Sequence, residues 1–143
     1  MIWGALALVA AGLFAGAAVY VSAVEHPARR NLGPGEALTQ WKPAYSRGAI
    51  MQASLALLGA ALGLAAWWQT GDWLWLVGAV LLAANWPYTF IGIMPTNHSL
   101  MATDPGTAGP ESHALLERWA RLHHVRTALG CAATLAFLVA AID

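Results

Sequence analysis

The chain has 143 residues, of which 59 % are hydrophobic and only 10 % charged, with seven basic and seven acidic side chains and no net charge. A soluble domain carries roughly 25 % charged residues. This composition therefore excludes a soluble enzyme, a disordered segment and a basic nucleic-acid binder, and leaves a membrane protein. The single cysteine, Cys131, excludes a disulfide framework and a cysteine zinc site.

Four apolar stretches approach the roughly 20 residues that cross a bilayer. The first, 2–24, is broken only by Tyr20 and Ser22. It is too long for a cleaved signal peptide and lacks a basic n-region, so it is kept as a span. It runs into Glu25-His26-Pro27-Ala28-Arg29, where Pro27 biases His26 away from helix and predicts the helix end. Residues 25–47 read as a long connection. Within it, Trp41 and Tyr45 suit an interfacial belt or the rim of an aromatic pocket.

The second span, 48–68, contains Gln52 and Ser54, and only residues 69–72 separate it from the third, 73–94. Pro87 cannot donate to the Ala83 carbonyl and predicts a kink. Asn85 and Tyr88 flank this proline. An unpaired amide is costly in mid-bilayer, so Asn85 must face the bundle interior, bonding another helix or orienting a ligand. Beyond Pro95, Thr96-Asn97 reads as a new helix cap. After a connection over 95–124 comes the fourth span, 125–142, fed by an amphipathic juxtamembrane helix from near Glu111.

The fold class is thus all-α: one membrane domain over 1–143, an integral four-helix bundle running up-down-up-down. Gly12/Gly16 and Gly59/Gly63 have Gly-x-x-x-Gly spacing, a candidate seam for a homo-oligomer. All seven Lys and Arg lie in or beside the two long connections. Basic residues stay cytoplasmic, so both connections are expected inside and both termini outside. The expected location is a cell membrane of the bacterial inner-membrane type.

The five histidines gather at the same end. Trp119, His123 and Arg126 are spaced four and three apart and share a helix face that continues through Gly130 and Thr134. Arg126 could bind an anionic oxygen or hold a carboxylate such as Glu25. Glu117 and Arg121 are spaced as a solvated i,i+4 pair. His26, His98, His123 and His124, with Glu25, offer ligands for iron or copper, and facing histidines could hold a haem. No His-x-x-x-His pair occurs, so a metal would have to be held between helices. The cofactor stays open between none, haem, iron and copper. The absence of mid-span ionisable residues disfavours transport.

The motifs Glu25-His26-Pro27-Ala28-Arg29, Trp41-x-Pro43-x-Tyr45-x-Arg47-Gly48, Pro95-Thr96-Asn97-x-x-Leu100 and Trp119-x-x-x-His123-x-x-Arg126-Thr127 together resemble the anthrone oxygenase-like integral membrane family. The resemblance covers nearly the whole chain. It implies oxidation of a polyketide anthrone to an anthraquinone by dioxygen, with Asn97, His123 and Arg126 in the pocket and His26 and Trp119 beside them. Characterised members often carry Asn where this chain has His123.

Such chemistry needs a general base, for which His123 or His26 would serve, and a partner for the enolate oxygen, for which Arg126 or Asn97 would serve. Tyr45, Gln52, Asn85 and Tyr88 complete the candidate pocket. The expected partners are a hydrophobic small molecule and the bilayer, with no nucleic acid. A non-catalytic bundle binding a lipid, quinone or haem, or an accessory subunit, is the competing reading.

Overall fold

The structure, a computed structural model, describes Ile2–Asp143. Four of the described helices are long and apolar enough to cross a membrane: α1 Ile2–Arg29, α2 Pro34–Thr70, α3 Trp73–Ala102 and α4 Pro110–Ile142. The protein is a multi-pass membrane protein. Each helix packs on its two neighbours in the order α1, α2, α3, α4 and back to α1, which makes a square up-down-up-down bundle.

Local sequence explains where the helices begin and end. Pro34 opens α2, and Glu36 accepts from the Gly33 N–H. Gly71 closes α2 with φ 76°, its N–H reaching the Trp67 carbonyl at 2.8 Å. Asp72 then caps α3 by accepting from the Leu74 N–H at 2.9 Å. Pro110 opens α4, where Ser112 accepts from the Gly109 N–H.

The expected long loops are mostly helix. At 1.5 Å per residue, the 37 residues of α2 span about 55 Å, against about 30 Å of hydrocarbon. The surplus projects at the end formed by residues 25–47 and 95–124, called the polar end below. There the helices gain a second apolar core of Leu38, Trp41, Ile93, Leu100, Leu116 and Trp119. This burial keeps the projecting turns helical. Lys42, expected in a loop, donates from α2 to the carbonyls of Met101 and Thr103 and caps the end of α3.

Pro27 does not end α1 at His26. The chain passes through a π-turn, Val21–Glu25, and continues to Arg29. The His26 N–H bonds the Val21 carbonyl, five residues back. Asn97 is likewise no cap: a second π-turn, Thr89–Ile93, carries α3 onward to Ala102, and the Met94 N–H reaches Thr89. In both places a proline follows the donor. A proline ring clashes with the carbonyl four residues back, and a widened turn relieves that clash.

Around Pro87, the α-helix is interrupted at Ala84. The Asn85 side chain bonds the Leu81 and Leu82 carbonyls of its own helix, not a neighbouring helix.

The apolar half of the bundle is built from alanines and a few rings. Phe14 lies on Gly130, and Phe137 fits between Gly63 and Gly78. Gly59 and Gly63 are therefore occupied by contacts within the chain. Gly12 and Gly16 face outward.

Candidate functional site

All four helices meet at a cavity of about 410 Å³, counting its mouth. It lies where the apolar core gives way to the polar end. α1 contributes Glu25 and Arg29, and its π-turn presents Val21. α2 contributes Trp41, Tyr45 and Gln52. α3 contributes Asn97, with Ile93 from its own π-turn. α4 contributes Trp119, His123 and Arg126. Both π-turns thus supply the cavity wall, which agrees with the frequent use of such turns at functional sites.

Trp41 is fully buried, so it belongs to no interfacial belt. It stacks on Tyr45 at 4.7 Å between ring centroids and meets Trp119 edge-on at 5.7 Å. These three rings form a rigid aromatic wall.

Arg126 is only 8 % exposed, and its Nε has no hydrogen-bond partner. No carboxylate pairs with it among the described residues. The Phe14 ring lies 5.7 Å from the guanidinium. The expected Glu25–Arg126 pair does not form, because Glu25 accepts from Arg29 at 2.7 Å. A buried, unpaired cation is costly. Asn97 Oδ1, Gln52 Oε1 and Trp41 Nε1 are also buried and unpartnered around the same space.

His123 is held by a short relay. Ser22 Oγ lies 3.3 Å from His123 Nδ1 and 2.9 Å from Thr127 Oγ1. The Thr127 hydroxyl donates to the Ala18 or His123 carbonyl, at 3.2 or 3.3 Å. Ser22 and Thr127 thus hold the Nδ1 edge of the ring, while Nε2 has no hydrogen-bond partner among the described residues. With the proton on Nδ1, Nε2 offers the lone pair that a general base requires.

His26 is buried but does not line the cavity. Its Nδ1 lies 3.4 Å from Arg29 Nη1, and its Nε2 lies 3.3 Å from Glu117. Glu117 takes two bonds from Arg30, at 2.7 and 2.8 Å, instead of pairing with Arg121. The Arg30 bonds hold the Glu117 carboxyl well below the usual carboxylate range. Arg29 binds Glu25 and Gln40 and sits 5.8 Å from the Trp119 ring. These side chains brace the polar end around the cavity.

Tyr88 is not among the residues lining this cavity, and its hydroxyl donates to the Leu122 carbonyl at 2.8 Å. The proposed metal ligands disperse, since His98 and His124 are exposed while His26, His123 and Glu25 are engaged elsewhere. Among the described residues, no three His, Cys, Asp or Glu side chains converge. The sequence reading gave no role to Arg29, Ser22 or Thr127. Arg29 lies in the Glu-His-Pro-Ala-Arg motif and Thr127 beside Arg126, whereas Ser22 carried no signal of its own.

A family model described as anthrone oxygenase matches residues 41–136, a stretch that holds Asn97, Trp119, His123 and Arg126. The chain belongs to the anthrone oxygenase family. A curated anthrone oxygenase of Claviceps purpurea (strain 20.1) is 30 % identical, over 84 % of this chain and 78 % of the relative. No solved structure matches. The family match begins at Trp41, so the α1 elements of the site, including Ser22 and Arg29, lie outside it.

Proposed function

We propose that this protein is a membrane oxygenase that converts a lipophilic anthrone-type substrate to a quinone with dioxygen. The observation that carries the reading is Arg126: a buried guanidinium without a counter-charge, in a cavity shared with a free imidazole nitrogen and unpartnered amides. Such a site suits a ligand whose negative charge develops on an oxygen during reaction. Family membership supports the oxygenase class.

In this reading His123 Nε2 removes a methylene proton from the substrate. The electron pair moves onto the carbonyl oxygen, which lies against Arg126. The carbanion carbon gives electrons to dioxygen, and a C–O bond forms. The peroxide so formed takes the first proton back from His123; loss of the second methylene proton then breaks the O–O bond, leaves a new carbonyl and expels hydroxide, which that second proton converts to water. One oxygen atom enters the product and the other enters water. The aromatic wall of Trp41, Tyr45 and Trp119 holds the flat ring system and excludes solvent.

The test is dioxygen uptake and quinone formation by the purified protein in lipid nanodiscs with 1,8-dihydroxyanthrone. Wild type is expected to turn over well above the background autoxidation. Arg126→Ala is expected to lose about 100-fold in kcat/KM, the scale of one lost oxyanion partner. His123→Ala is expected to lose a similar factor in kcat. Undiminished uptake in both variants would overturn the assignment.

A further inference from the structure

A second cavity, of about 530 Å³ counting its mouth, lies between α2 and α3 on the other side of Arg126 and Tyr45. Tyr45, Ala49 and Arg126 line both cavities.

The second cavity is walled by Ala53, Ala56, Trp86, Phe90 and Met94. Trp86 is fixed across it by an Nε1–H bond to the Ala53 carbonyl at 3.3 Å, and Phe90 leans on Trp86 at 5.7 Å between centroids. Phe90 is 57 % exposed and marks the rim on the lipid-facing surface.

Asn85 lines this chamber with Thr89, Tyr45 and Arg126 as its polar residues, and it is 2 % exposed. Both its bonds, to the Leu81 and Leu82 carbonyls, come from the amide nitrogen. The orientation of the amide is thereby fixed, and Oδ1 is left as a buried acceptor with no partner. A buried acceptor of this kind needs a donor. Arg126 also lines this chamber, and its Nε is a buried donor with no partner. The two groups therefore demand opposite things of a ligand.

We propose that this chamber is a second subsite, entered from the lipid between α2 and α3, that takes the distal ring of the substrate and reads a hydroxyl on it through Asn85 Oδ1. The inference rests on the oxygenase reading and narrows its substrate class. The substrate is a flat aromatic body with an anionic oxygen at Arg126 and a phenolic hydroxyl remote from it. Trp86 and Phe90 supply the apolar rim over which the ring slides from the bilayer.

The test compares anaerobic binding of 1,8-dihydroxyanthrone and 1,3,8-trihydroxyanthrone, whose extra hydroxyl lies away from the carbonyl. Wild type is expected to bind the trihydroxy probe about tenfold tighter. Asn85→Leu is expected to remove this preference while still binding the dihydroxy probe. Ala53→Phe, which fills the chamber and keeps Asn85, is expected to weaken both probes at least tenfold. Equal affinities in wild type, or an Ala53→Phe variant with unchanged affinity, would overturn the subsite while dioxygen uptake still supports the Arg126 site. Failure of wild type to bind either probe would overturn both readings.

Discussion

At the scale of single residues, the site works through what is left unpaired. Most buried polar groups find partners, yet Arg126, Asn97, Gln52 and Trp41, which line one cavity, each leave a buried atom without one. His123 is the complement, because one ring nitrogen is tied and the other is free. Ser22 is thus a positioning residue that holds the His123 ring through Nδ1 and is not among the residues lining the cavity. Ser22→Ala is expected to lower kcat about tenfold with little change in KM, since the general base supplies about 10²–10⁴ and only its orientation is loosened. Ser22→Thr keeps the hydroxyl and is expected to restore the rate. Steady-state kinetics on the pair distinguish this role from a packing role, which would leave the Thr variant impaired.

At the scale of elements, glycine and phenylalanine set the helix spacing in the apolar half. A Cβ at Gly130 would meet the Phe14 ring at 2.6 Å, while one at Gly12 would meet nothing within 4 Å. Gly130→Val is expected to destabilise by about 1–3 kcal/mol through overpacking. Gly12→Val is expected to stay within about 0.5 kcal/mol. Thermal unfolding in detergent measures both. The element scale is also where sequence was least informative. The rule that proline ends a helix is sound for an isolated segment. Here the π-turns before Pro27 and Pro95, and the second core around Trp41 and Leu116, carry the helices past it. Those tertiary contacts are invisible to a local reading.

At the scale of the molecule, four spans and their alternating order were legible because apolar length alone decides them. Of the site, the face of Trp119, His123 and Arg126 was legible, since helical spacing places them together. The convergence of Asn97, Gln52 and Tyr45 on that face depends on α2 and α3 and could only be guessed. The pairing of Glu25 with Arg29 was hidden for another reason. Both residues lie in a stretch that local rules read as loop, while in the helix they stand four apart.

The central claim is that Arg126 waits for an oxygen anion. The most direct measurement is an anaerobic titration of the purified protein with 1,8-dihydroxyanthrone at neutral pH, following the absorption of its enolate. Wild type is predicted to bind the probe as enolate, and Arg126→Gln to bind it, if at all, in the neutral form. An enolate band of equal intensity in Arg126→Gln would contradict the account.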